Sequence, residues 1–177
     1  MSIASKHRLT RTAAAMALGA ASMMLTGNAG LRTNLDARLL AAHNRERSAA
    51  GIAPLAWNAQ LAADAREFAA ELAATNSFGH SAEDPDNPVG ENLFAGTTGY
   101  YAPEAMVGAW VEEKQHYKPG IFPNNSKTGK LEDVGHYTQL MWRDTRTVGC
   151  AVVPGDDLEF LVCRYTQVGN VEGERPF

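Results

Sequence analysis

The chain has little of several things, and each shortage narrows what it can be. It carries two cysteines, Cys150 and Cys163, in 177 residues, which excludes both a disulfide-dense scaffold and a cysteine-built metal cluster. There is no internal repeat and no low-complexity tract after the first 30 residues, so a solenoid or a disordered binding tail is not indicated. Basic charge is not in excess: Lys and Arg total 16 against 20 Asp and Glu, which argues against nucleic acid or an anionic membrane held by charge alone. The one long apolar segment, Ala13 to Leu25, is too short for a comfortable membrane span.

That segment has the layout of an export signal. Lys6, Arg8 and Arg11 precede it, and Thr26-Gly27-Asn28-Ala29 is a small-residue stretch that a signal peptidase can cut. No cysteine lies nearby to carry a lipid. Residues 1–29 are therefore expected to be a signal peptide and residues 30–177 a single domain, secreted or periplasmic, with no membrane anchor once the leader is gone. Cleavage after Ala29 removes three basic groups and no acidic one, so the remaining domain is more acidic than the −4 of the whole chain.

In an exported chain, two cysteines suggest one bridge. Val148 to Val153 and Glu159 to Tyr165 read as strands around Pro154-Gly155-Asp156-Asp157, and folding that hairpin sets Cys150 opposite Cys163. Upstream, a first helix is expected from Leu35 to about Ala50, capped by Asn34 or Thr33 and ended by Gly51. A second begins after Asn58 with the stripe Leu61, Ala65, Phe68 and Leu72, and a third begins at Pro103. Residues 75–101, including Gly90-Glu91-Asn92-Leu93, read as ordered loop, and so do residues 118–134. The run His136 to Trp142 reads as a strand, with His136, Thr138, Leu140 and Trp142 on one face. Three strands close in sequence predict an antiparallel meander covered by helices, a layered α/β arrangement.

The third helix separates two adjacent glutamates. At about 100° per residue, Met106, Ala109, Trp110, Glu113 and Tyr117 share a side, and Glu112 falls off it. Glu113 is therefore expected to face inward, where a carboxylate is costly unless bonded.

Four stretches resemble the motifs of one family, the CAP superfamily of cysteine-rich secretory, antigen 5 and plant pathogenesis-related proteins. Gly135-His136-Tyr137-Thr138-Gln139-Leu140-Met141-Trp142 is similar to its main motif. Phe160 to Tyr165, ending in Gly169-Asn170-Val171, resembles its second, His43-Asn44-Arg45-Glu46-Arg47 its first-helix motif, and Gly90-Glu91-Asn92-Leu93 its fourth. The resemblance spans Leu35 to Val171 and implies a three-layer α-β-α sandwich with a central antiparallel sheet. It also implies a cleft holding His80, Glu91, Glu113 and His136, with His80 and His136 as ligands of zinc or another divalent metal and the two glutamates in support. His43, Asn44, Arg47, Asn92, Tyr137 and Trp142 are expected to be structural, with His43 and Arg47 reaching a shared neighbour and Asn92 fixing its own loop. Gln167 stands where the family usually has proline, which predicts a looser turn before Gly169. Ser81 adjoins His80, but neighbours in sequence are expected to aim apart, so a Ser-His-Glu hydrolase is a minor alternative and the protein is expected to bind rather than catalyse. Sterol or lipid is the other alternative, through Tyr117, Ile121 and Phe122.

Overall fold

The structure, a computed structural model, describes residues 34–82 and 84–177. The expected signal peptide and Thr33 lie outside the described residues. In chain order the elements are α1 (Leu35–Ala49), β1 (Ala56–Trp57), α2 (Ala59–Thr75), β2 (Gly90–Thr97), α3 (Pro103–Glu112), α4 (Gly135–Leu140), β3 (Thr147–Pro154) and β4 (Leu158–Thr166). Short 3-10 turns follow α3 at Glu113–Gln115 and precede α4 at Leu131–Asp133.

The four strands form one sheet in the order β1-β3-β4-β2. Both β2 and β3 pair antiparallel with β4, whereas β1 runs parallel to β3. The sheet is therefore mixed rather than purely antiparallel: α2, β2, α3 and α4 lie between β1 and β3 in the chain, so no hairpin joins the two and they run the same way. Side chains alternate along β4. Phe160 and Val162 pack with Ala65, Ala69 and Leu72 of α2. Leu161, Cys163 and Tyr165 point the other way, into a core with Leu39, Met106, Trp110, Tyr137 and Leu140 from α1, α3 and α4. One helix on one face and three on the other make the α-β-α sandwich. In the hairpin β3–β4, Cys150 pairs with Cys163 in register and the two are joined by a disulfide.

Local signals explain most boundaries. Asn58 caps α2 by accepting from the N–H groups of Gln60 and Leu61. Gly51, with φ +69°, ends α1 in the left-handed region. Asn34 sits at the start of α1 but with φ 54° and no side-chain cap bond, so it turns the chain rather than capping the helix. In α2, Ala69 lies against the sheet in the place expected of Phe68, which is half-buried at the side.

Two assignments from sequence differ from the structure. Gly135–Leu140 is helix α4, not a strand. Every residue from Tyr137 to Trp142 is at most 2% exposed, so both faces of the segment are buried and its apolar pattern carries no period. Gly90–Thr97 is strand β2, not loop, because it pairs with β4 along its whole length and tertiary pairing overrides the weak strand preference of Gly, Glu and Asn. Gly90 makes room for α4: a Cβ would lie 2.2 Å from Oε1 of Gln139, whose side chain would have to move.

Gly149 is the tightest point between layers, since a Cβ would lie 2.3 Å from the Ala62 nitrogen and 2.4 Å from the Asn58 oxygen. Both are backbone atoms and cannot rotate away. Gly149→Ala is expected to cost about 2 kcal/mol or more, read as a lowered urea midpoint; an unchanged midpoint would show that α2 can shift freely off β3.

Candidate functional site

His136 lies in the first turn of α4. Its Nδ1 is 2.6 Å from Oε1 of Glu113, and Oε2 of Glu113 accepts the Tyr137 N–H at 3.0 Å. Glu113 stands where α3 tightens into its 3-10 turn; its side chain is 16% exposed, while Glu112 is exposed. The His136 ring stacks on Trp110, with planes 12° apart, and Trp110 in turn donates from Nε1 to the Leu93 carbonyl. Asn92 donates to the His136 carbonyl at 3.0 Å and to the Tyr165 hydroxyl at 3.2 Å. Asn92 thus ties β2 to α4 rather than fixing a loop of its own. Ring and backbone of His136 are both held.

Glu91 precedes Asn92 in β2 and points to the other face of the sheet, beside Arg164 of β4. His80 Nδ1 is 2.9 Å from Glu91 Oε1, Ser81 donates its N–H to the same oxygen, and the Ser81 hydroxyl donates to Oε2 at 2.8 Å. Burial alone would raise the Glu91 carboxyl, but the hydrogen bonds from His80 and Ser81 pull it below the usual carboxylate range. The same hydrogen bond raises His80 above the usual imidazole value.

Each histidine therefore has the same construction, a ring fixed through Nδ1 by a largely buried carboxylate. The His80 and Glu91 side chains line a cavity of about 470 Å3 on the α2 side of β2, whereas His136 and Glu113 are not among the residues lining it. The two pairs flank the opening residues of an edge strand, linked through the adjacent residues Glu91 and Asn92.

Ser81 and His80 do not aim apart as expected; both bond to Glu91. The order is nevertheless wrong for an activated nucleophile. The hydroxyl donates to the carboxylate directly, with no imidazole between to take its proton. Sequence reasoning missed Ser81 as a partner of Glu91, and it missed Arg164. The available signal for Arg164 was alternation: it follows Phe160 and Val162 on a buried face, where a charge is out of place.

The remaining residues hold the frame. His43 is fully buried, with Nδ1 2.8 Å from the Leu39 carbonyl and Nε2 2.8 Å from the Tyr165 hydroxyl. Arg47 does not share that partner; it donates to the carbonyls of Ala53, Leu140, Trp142 and Thr145. Asn44 exchanges hydrogen bonds with both backbone groups of Leu55. Tyr137 and Trp142 are core residues, and burial pushes the Tyr137 phenol well up. The turn at Gln167 is pinned: its carbonyl accepts from Thr145, and Gly169 donates to Gln139.

His43, Cys150 and Cys163 bring three potential ligand atoms within 4.8 Å of one another, the one such set among the described residues. It is no metal site, because the sulfurs are joined to each other and both ring nitrogens of His43 are engaged. At the apolar loop, Tyr117 stacks on Phe177 and Phe122 packs on Trp142, which leaves Ile121 as the exposed member. Among the described residues no helix is long and apolar enough to cross a membrane.

A layered sandwich with paired imidazoles and carboxylates at a sheet edge defines a class, and comparison with known proteins gives it a name. Residues 40–165 match CAP, the Cysteine-rich secretory protein family, and the chain belongs to that family. It is 38% identical over 139 residues to Pathogenesis-related protein 1A of Nicotiana tabacum, covering 78% of each chain. It is 36% identical over 141 residues to Pathogenesis-related protein PRMS of Zea mays, covering 78% of this chain and 80% of that one. Among solved structures it is similar to Na-ASP-1, with a TM-score of 0.64 and 25% identity, covering 81% of this chain but only 41% of Na-ASP-1. NaASP2, solved with Zn2+, shares the fold at a TM-score of 0.64 and 23% identity, covering 79% of this chain and 83% of that one.

Proposed function

We propose that this is an exported CAP-domain protein that binds a divalent metal, zinc by preference, through Nε2 of His80 and Nε2 of His136. One observation carries the reading: both rings are oriented by a carboxylate on Nδ1, the arrangement that fixes the tautomer of metal-bound histidine and makes its other nitrogen a better donor. The rings are reachable, with side chains 63% and 32% exposed. The donor set fits the ion chemically, since neutral imidazole suits zinc. Two protein ligands leave the remaining positions to water, so the affinity is modest. Bound there, a metal would act as a Lewis acid; this chain's own contribution is to hold the two imidazoles, each oriented on its Nδ1 by Glu91 or Glu113.

Isothermal titration of the metal-free protein with zinc chloride is expected to show one saturable site. His136→Ala and His80→Ala should each weaken it at least about tenfold, by removing one of two protein ligands. Equal zinc affinity in wild type and both variants would end the reading.

Export is part of the same proposal. The basic and apolar leader and the disulfide Cys150–Cys163 support it. Protein recovered outside the cytoplasm should have an intact mass beginning at Gly30; a full-length mass beginning at Met1 would contradict this.

A further inference from the structure

The cavity beside Glu91 holds a charged group that the metal reading does not use. Arg164 projects from β4 into it with its side chain 18% exposed. The guanidinium lies over the Phe68 ring, 5.6 Å from its centroid, a cation–π contact that helps hold it in place. Its Nε is buried and makes no hydrogen bond among the described residues. Its ion-pair partner, Oε2 of Glu91, is 3.6 Å from Nε, beyond hydrogen-bond range, and that carboxylate already accepts from His80 and Ser81. An arginine held by an ion pair with Glu91, but making no hydrogen bond of its own among the described residues, keeps donors for a ligand carboxylate.

The other charges facing the cavity decide what the rest of the ligand carries. Asp64 of α2 and Asp84 line the same space, in addition to Glu91 and His80. The Asp84 carboxylate is fixed by the Asp86 N–H and the Asn87 amide. Glu91 is balanced by Arg164 and His80, which leaves two carboxylates to repel a simple anion. A ligand with an ammonium group next to its carboxylate meets both signs. Val89, Pro88 and Val168 supply apolar wall, and about 470 Å3 suits a small molecule.

We propose that this cavity is a binding site for a free amino acid with an apolar side chain, its carboxylate on Arg164 and its ammonium toward Asp64 and Asp84. The site does not depend on the metal, so its test is run in EDTA. The protein is titrated calorimetrically with L-leucine, with 4-methylpentanoate, which lacks the ammonium, and with 3-methylbutylamine, which lacks the carboxylate. L-Leucine is expected to bind saturably, and each truncated analogue at least about tenfold more weakly, the loss of one charged hydrogen-bonded contact. Arg164→Gln should weaken L-leucine by a similar factor. Asp64→Asn, an exchange on the partly exposed flank of α2, should narrow the gap between L-leucine and 4-methylpentanoate. Absence of saturable L-leucine binding, equal binding by 4-methylpentanoate, or unchanged affinity in both variants would overturn the proposal. Circular dichroism of the variants separates a lost site from a lost fold.

Discussion

Arg47→Met is expected to unfold the domain or leave it barely stable at room temperature. The guanidinium is fully buried and bonds to four carbonyls, those of Ala53, Leu140, Trp142 and Thr145, which join α1 to the link before β1, to the end of α4 and to the segment after it. Burial, reinforced by nearby Arg146, lowers its pKa to about 10, which leaves it charged at neutral pH. Methionine fills the space without donors; it strands the buried Leu140 carbonyl and removes a donor from the carbonyls of Ala53, Trp142 and Thr145, the last two of which keep the Thr145 N–H and Arg146 respectively. At about 1–3 kcal/mol for the stranded carbonyl and about 1 kcal/mol for each other bond lost, the loss is on the order of 4 kcal/mol or more, much of the stability of an ordinary domain. Arg47→Lys keeps the charge but not the planar fork, so it should fall between. Urea unfolding followed by circular dichroism measures this, and a methionine variant within about 1 kcal/mol of wild type would mean these bonds contribute little net stability.

The second large effect is acid lability centred on His43. Burial holds its imidazole at about 4, helped by the charge of Arg47 and opposed by the hydrogen bond with the Leu39 carbonyl. The ring is neutral in the fold but takes up a proton near 6.5 once the chain unfolds. The folded pKa is depressed, so the stability tied to the neutral ring is fully present above about 6.5 and is lost as pH falls through about 4. The total is about 3 kcal/mol. His80 works in the opposite sense, since its pKa is raised and its pair with Glu91 adds stability below the unfolded value; being 63% exposed, it is strongly screened and adds little. His43→Gln should be less stable than wild type at pH 8 yet lose much less between pH 7 and pH 4. Parallel stability curves for the two proteins would show that some other group is responsible.

How legible each feature was depended on whether its cause was local. The inward turn of Glu113 followed from helical geometry, because α3 has a polar side and an apolar side, and the structure has Glu113 bonded to His136 while Glu112 is exposed. The pairing of Cys150 with Cys163 followed from hairpin register. The start of α2 followed from Asn58 and the end of α1 from Gly51. Helix α4 was illegible because its residues are buried on every side, so the signal that separates helix from strand was missing. Strand β2 was illegible because its partner, β4, lies far along the chain. At the site, residue types and motif spacing pointed to the two histidines and two glutamates. They did not reveal that Ser81 and His80 converge on one carboxylate, or that Glu91 and Asn92 point to opposite faces, since both facts depend on Gly90–Thr97 being a strand. Arg164 became visible only when the cavity around it did.

Soaking a crystal of the protein in zinc chloride and collecting data on both sides of the zinc absorption edge tests the metal site most directly. An anomalous peak bonded to Nε2 of both His80 and His136 at about 2.0–2.1 Å, with Glu91 and Glu113 still on the Nδ1 atoms, is the expected result. A peak at only one of the two histidines, or no peak in the presence of excess zinc, would contradict it.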